Sequence, residues 1–343
     1  MTKQFGMPPP GDMRRCLTTL ACDGALARRF EERAALEAGG ALRCVGNLAL
    51  LGAYVRLGSL QLAADWAARL LRCWGRVVPA AAAAGRLVVY DRGAGTLHGE
   101  TTVAARGARV MAVAVHDIER SHALAHEAIA AADVLLLGPG SFVTSTLAAV
   151  TTGQIAQHIV TSRARKVLIH NLAPEPGQLT ELEVQDYVRL LRDHLGIHHY
   201  NGAPDADNMP LTVLCHRDAP AAETTLLRQP APPHGTTMVY APLALETARS
   251  RHHPQRLALA LARLLSLDPC VQAPTRYPAG GGARGAAEPD DAAAAALRRA
   301  DFERHLRCGE ALVKGASTAL APRDAASPQA VPSKAASRRN TTR

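Results

Sequence analysis

Ala132-Asp133-Val134-Leu135-Leu136-Leu137-Gly138-Pro139-Gly140-Ser141-Phe142-Val143-Thr144-Ser145 is the stretch that decides the fold. Val134 to Leu137 are consecutive aliphatic residues closed by Gly138, the pattern of a buried strand. A Gly-Pro-Gly-Ser turn follows, and Thr144-Ser145 open a helical stretch. Strand, tight turn and helix start gather backbone N–H groups in one place. The two glycines let a ligand come close to the backbone, and the helix dipole favours an anion there. Gly138, Pro139, Gly140, Ser141, Thr144 and Ser145 are therefore candidates for the floor of a phosphate or carboxylate pocket. The same residues also fit a plain strand-to-helix connection, in which Ser141, Thr144 and Ser145 only cap.

Outward from this turn, strands and helices alternate. Val110 to Val115 is a strand, Ala123 to Ala131 a helix, and Thr152 to Ser162 a helical stretch. Lys166 to His170 is a strand, Thr180 to Leu195 a helix, Leu211 to Cys215 and Met238 to Ala241 strands, and Pro254 to Leu267 a helix. Alternation of this kind predicts a three-layer α/β, Rossmann-like and mostly parallel sheet. Before it, Arg86 to Tyr90 and Thr96 to Val103 read as a hairpin around Asp91-Arg92-Gly93-Ala94-Gly95. Earlier still the apolar spacing is helical. One helical region runs from Met13 towards Leu36 with a break near Asp23-Gly24, a second from Val45 to Leu57. A third is capped by Ser59 and carries Leu60, Trp66, Leu70 and Trp74 on one face. These predict an N-terminal helical subdomain.

Ligands of open α/β sheets bind at the carboxyl ends of strands. Asn171 ends a strand on the same edge as Gly138, so the two should line one crevice. Asp12 follows Pro8-Pro9-Pro10-Gly11 and is either a helix N-cap or a contact for a ligand hydroxyl or phosphate. Arg14 can pair with a phosphate or lie solvated on its helix. Asn47 opens an apolar helix, where it either ties the turn or reaches a ligand.

The 343 residues are rich in Ala and Arg, with 48% hydrophobic and 3% aromatic residues. The net charge is +9. Residues 272–343 hold 12 Lys/Arg against 7 Asp/Glu, so much of the excess sits in a tail. With few aromatics to stack on bases, no nucleic-acid partner is expected. Residues 269–343 read as a disordered basic tail with one helix at about 290–313, leaving 4–268 as the folded unit. The seven cysteines show no C-x-x-C spacing and are expected to be reduced thiols. Neither a signal peptide nor a membrane-spanning run is recognised, and a cytoplasmic location without membrane insertion is expected. There is no P-loop and no Gly-x-Ser-x-Gly elbow. His194, His198 and His199, like His252 and His253, lack metal-ligand spacing and read as surface or capping residues near helix ends.

Five separated pieces resemble the CofD/YvcK-like family, and more closely its YvcK branch, the gluconeogenesis factors. Pro8-Pro9-Pro10-Gly11-Asp12-Met13-Arg14-Arg15-Cys16-Leu17 is similar to that branch's P-P-G-D-x-R-N-C-L segment. Val45-Gly46-Asn47-Leu48 resembles H-x-x-G-N-L, with Arg43 where the family has His. Ala132-Asp133 through Ser145 resembles A-D-x-x-x-x-G-P-G-S-x-x-T-S, with Ala149 in place of a following Asn. Asn171 with Pro176-Gly177 resembles N-x-x-x-x-P-G-E-T, with Gln178 in place of Glu. His253-Pro254 through Leu257-Ala258 resembles a late R-H-D-P-x-x-L-A element. Family members begin with a strand, a G-G-G-T-G turn and a D-D-G-G-S segment that have no counterpart here, so a truncated homologue or a misplaced start is expected.

The resemblance implies a ligand site made of Gly11, Asp12, Arg14, Asn47, the Gly138 to Ser145 turn, Asn171 and Gly177. It implies a cytosolic, non-catalytic sensor of a nucleotide sugar, such as a UDP-sugar, or another phosphorylated nucleotide. Such a protein regulates central carbon metabolism, cell-envelope synthesis or cell shape. The alternative is a transferase of the CofD branch, moving a phospho-lactyl group from a nucleotide diphosphate donor to a deazaflavin with Mg²⁺, for which Asp12 is the one well-placed carboxylate. A third reading is a scaffold that has lost its ligand. No cofactor is expected outside the transferase reading, and a homo-oligomer is compatible with each.

Overall fold

The computed structural model describes residues 5–35, 42–93, 95–99, 102, 110–118, 121–173, 183–196, 209–218, 226–231, 235–266 and 292–320. Its centre is a five-stranded sheet in the order β6-β7-β8-β10-β9. The strands are β6 (Val134–Leu137), β7 (Arg165–Ile169), β8 (Leu211–His216), β9 (Leu227–Ala231) and β10 (Thr236–Ala241). β6, β7, β8 and β10 run parallel, and β9 closes one edge antiparallel to β10.

Side chains alternate between the faces as the period of two demands. Leu168, Val213, Cys215 and Met238 point into the larger core, with Phe142, Tyr187, Val188 and Leu191. Val167, Leu214, Val239 and Ala241 point the other way, onto Ala260 and Leu264. Those last two lie on helix α9 (Pro254–Leu264), while Tyr187, Val188 and Leu191 lie on α8 (Val184–Gly196). The sheet is thus the middle of three layers, as the alternating pattern predicts.

One element of that pattern belongs elsewhere. β5 (Val110–His116) pairs antiparallel with β3 (Arg86–Asp91), which also pairs with β4 (Gly95–His98). The three form a separate sheet. An apolar run of six residues fits a parallel or an antiparallel strand equally well, and only the partner decides.

β5 is held to α8 by His194, which is almost fully buried. Its Nε2 accepts from the Val113 N–H at 2.7 Å, and its Nδ1 lies 2.6 Å from the Leu190 carbonyl. His194 is therefore a core residue and not the surface or capping histidine that its place near a helix end suggested.

The helical subdomain contains α1 (Gly11–Leu20), α2 (Gly24–Glu31), α3 (Val45–Leu57) and α4 (Leu60–Leu71). Between the second and third helices lies the short hairpin of β1 (Arg33–Ala35) and β2 (Leu42–Cys44). The break expected near Asp23 is where α2 starts, with the Asp23 carboxylate accepting from Leu26 N–H at 3.0 Å. Ser59 caps α4 as expected. Trp66 is buried on that helix, whereas Trp74 lies beyond its last residue and is partly exposed. α3 is apolar on nearly every side, the mark of a helix surrounded by others.

One of those neighbours comes from the far end of the chain. α10 (Ala292–Leu320) buries Phe302, Leu306 and Val313 in the same core as α3. Phe302 stacks on Phe30 at 5.0 Å between ring centroids, and Trp66 donates from Nε1 to Asp301 at 2.7 Å. A Cβ on Gly52 would sit 1.9 Å from the His305 carbonyl oxygen, and one on Gly309 equally close to that of Leu48. Only glycines allow these two backbones to cross so closely. Sequence composition places a helix at about 290–313 outside the folded unit, whereas the structure packs it into the N-terminal subdomain.

Candidate functional site

The glycine turn sits at the carboxyl end of β6, beside the carboxyl end of β7. Gly138 has φ +75°, and a Cβ there would lie 3.1 Å from the Ile169 carbonyl oxygen. Chain direction and close approach both require glycine at this position. Gly140 is different: a Cβ there would meet nothing within 4 Å. Its open side faces space that a ligand can enter. Pro139 follows Gly138 through a cis peptide bond.

After the turn, Phe142–Leu147 winds as a π-helix and continues as the short α6 (Ala148–Val150). Wide π turns of this kind gather at functional sites. Ser141 caps it. Its Oγ accepts from the Thr144 N–H at 3.3 Å and lies 2.7 Å from the Thr144 hydroxyl. These hydroxyls thus have a local capping role.

Two hydrogen bonds join distant segments to the turn. Asn171, just past β7, donates from Nδ2 to the Gly140 carbonyl at 2.8 Å. Ser145 donates from Oγ to Asp12 Oδ2 at 2.9 Å. Asp12 therefore reaches the turn from α1, 133 positions away in sequence. It does not cap that helix, whose N-cap is Pro10. Asp12 lies in the first turn, where its charge suits the helix dipole, and Arg15 stands 3.5 Å from its other oxygen. Gly11 begins the helix, with open space where a Cβ would be.

Arg14 points the other way. It is buried, and its guanidinium pairs with Glu31, which also accepts from Thr18 at 2.7 Å. Its stem lies against Gly46. The phosphate partner or solvated cation expected from sequence is thus a structural ion pair joining α1 to α2. Asn47 lies in the first turn of α3, and its Oδ1 is buried without a hydrogen-bond partner among the described residues. Gly177 lies outside the described residues.

The edge also carries a feature that motif reading passed over. His170 directly precedes Asn171. Its N–H donates to the Leu214 carbonyl at 3.0 Å, and its ring meets Tyr187 edge-on at 4.8 Å. Burial, with His252 nearby, pushes its pKa down to about 4. His252, at the end of β12 (Ala248–His252), stands near His170, and burial lowers its pKa as well. His216 ends β8 and accepts at Nδ1 from Leu243 N–H at 3.0 Å. Scattered histidines carry no spacing signal, so only the strand-end position of His170 marked it in the sequence.

The family model described as 2-phospho-L-lactate transferase CofD matches residues 1–237. The chain belongs to the CofD family. Within it, the chain falls in the YvcK-like branch. The gluconeogenesis factor of Bacillus subtilis is 28% identical over 203 residues, covering 57% of this chain and 62% of that protein. A Thermotoga maritima protein named provisionally as a gluconeogenesis factor is 30% identical over 195 residues, with the same two coverages. The chain thus spans about three-fifths of these curated relatives. The X-ray structure of protein BH3568 from Bacillus halodurans shares the fold, with a TM-score of 0.63 and 24% identity, over 77% of this chain and 86% of that one. No described helix is long and apolar enough to cross a membrane.

Proposed function

We propose that this protein binds a nucleotide sugar of the UDP-sugar type and acts as a regulator without turning it over. The observation that carries this reading is the convergence on Gly138-Pro139-Gly140. Asn171 and Asp12 reach one turn from separate segments, at the carboxyl edge where open α/β sheets receive ligands. The phosphates lie over the open side of Gly140 and the start of the π-helix, where backbone N–H groups and the hydroxyls of Ser141, Thr144 and Ser145 are within reach. Central carbon metabolism is the setting suggested by the relatives named gluconeogenesis factors. Control of the cell envelope and cell shape, in the cytoplasm, extends the same reading.

The family model's description favours a second reading, a transferase acting on a nucleotide-diphosphate donor. That chemistry calls for a divalent cation and carboxylates to hold it. Asp12 is the carboxylate hydrogen-bonded to the turn, and no group of three metal-binding side chains occurs among the described residues. Asp12 would hold such a cation together with the phosphates of the donor.

Thermal unfolding with and without UDP-N-acetylglucosamine tests the first reading. A ligand that binds only the folded state raises the melting temperature in proportion to its saturation. Absence of a shift at millimolar ligand overturns it. Product formed from a lactyl-diphospho-nucleoside and a deazaflavin establishes the second reading instead.

A further inference from the structure

We propose that His170 and His252 form a second subsite beside Asn171, one that hydrogen-bonds the uncharged, hydroxyl-bearing part of a nucleotide whose phosphates lie at the glycine turn. The inference rests on the nucleotide reading above and specifies how the rest of that ligand is recognised.

The starting observation is a concentration of unsatisfied imidazole nitrogens. His170 Nε2, His252 Nε2 and His253 Nδ1 are each buried without a hydrogen-bond partner among the described residues. A buried polar atom left unpaired costs about 1–3 kcal/mol, and each such atom calls for an explanation. These three belong to two segments that meet at the carboxyl end of β8: the His170 N–H donates to the Leu214 carbonyl, the His253 N–H to the Leu243 carbonyl, and the Leu243 N–H to His216. Of the three, His170 directly precedes Asn171, which itself bonds Gly140.

Structural histidines in the same molecule look different. His194 uses both ring nitrogens, one on Val113 and one on Leu190. His216 is likewise engaged on both sides, by Leu243 and by Asp218 at 3.5 Å. His170 is positioned but not satisfied: Tyr187 holds its ring edge-on and leaves Nε2 unpaired.

The chemistry of the cluster selects the ligand group. Burial keeps both rings in the neutral form. A neutral imidazole offers one donor and one acceptor, which matches a hydroxyl, itself both donor and acceptor. A fully ionised phosphate only accepts, so it would leave the acceptor nitrogen of each neutral ring unpaired. Sugar hydroxyls therefore fit the histidines, as phosphates fit the turn. Those hydroxyls can come from the ribose or from an attached hexose.

Isothermal titration of the full-length protein with inorganic pyrophosphate, UDP and UDP-N-acetylglucosamine tests this. His170→Phe keeps a ring against Tyr187 and removes both nitrogens. His252→Asn keeps a donor near the Nδ1 position and removes Nε2. Thermal melts confirm that each variant is folded, and His252→Asn alone suffices if His170→Phe is not. The expected result is about tenfold weaker binding of UDP-N-acetylglucosamine with pyrophosphate affinity unchanged. Loss shared by UDP assigns the ribose, and loss confined to the sugar nucleotide assigns the hexose. Wild-type affinity for all three probes in folded variants overturns the subsite and leaves the nucleotide reading standing. Failure of the wild-type protein to bind any probe overturns both.

Discussion

Ser145 donates a hydrogen bond to Asp12 at 2.9 Å, and this one bond ties the helical subdomain to the glycine turn of the parallel sheet. It is solvent-exposed, so its worth to folding is small, about 0.5–1.5 kcal/mol at most. Its worth to the site is position: it fixes a carboxylate beside the turn. Ser145→Ala should lower stability by no more than that amount in urea unfolding. The same variant should weaken UDP-N-acetylglucosamine several-fold. Unchanged ligand affinity would show that Asp12 does not need to be held.

The two glycines of the turn should separate under mutation. Gly138→Ala places a Cβ 3.1 Å from the Ile169 oxygen at a positive φ, and should cost about 1–3 kcal/mol of stability. A Cβ at Gly140 meets no atom within 4 Å, and Gly140→Val should melt like the wild type while losing ligand affinity. A Gly140→Val protein that binds normally would remove the turn from the anion site.

Breaking the Arg14–Glu31 pair should cost stability and not recognition. Arg14→Gln leaves Glu31 without its partner, but Glu31 is partly exposed and keeps Thr18. The expected loss is about 1–3 kcal/mol, below that of a fully buried pair. Pyrophosphate affinity of the folded variant, measured by titration, should be unchanged. A large fall in affinity would return Arg14 to the site.

The histidines set the acid limb of the stability curve. His158, His170, His194 and His252 all have pKa values lowered, chiefly by burial. In the unfolded chain each takes a proton near the ordinary histidine value of 6.5, which the folded protein refuses. The stability they contribute is thus complete above that value and is lost as pH falls, for His170 down to about 4. Melting temperature should fall between pH 7 and pH 5. His170→Phe should flatten that fall, which a pH series of thermal melts on both proteins will show.

The crossing of α3 and α10 gives the largest expected effect. Gly52→Val would drive a side chain into the His305 carbonyl. Overpacking of this kind costs about 1–3 kcal/mol or more. Trp66, hydrogen-bonded to Asp301 on α10, should report the displacement as a change in fluorescence. An unaltered emission spectrum would show that α10 stays in place.

Much of this was legible in the chain. Val134 to Gly140 announced strand and turn, because four aliphatics followed by two glycines leave few other conformations. The parallel sheet followed from alternation. What stayed hidden depended on partners. The partner of β5 could not be read from its own residues. Arg14 looked free because Glu31, 17 residues later, carries no mark of pairing. His170 and His252 are 82 positions apart and meet only when the sheet forms. Phe302 and Leu306 were masked by their Ala- and Arg-rich surroundings.

The place of α10 also bears on how the protein is made. Phe30 emerges from the ribosome early, but its stacking partner Phe302 is 272 residues behind it. Every strand of the central sheet is synthesised before α10 exists. Domains fold as their residues appear, so the sheet can close first, while α3 waits with an uncovered apolar side until residues near 313 are released. The subdomain that begins the chain is therefore completed last. Over that interval α3 is the surface on which a chaperone, or an unwanted neighbour, has the most to hold.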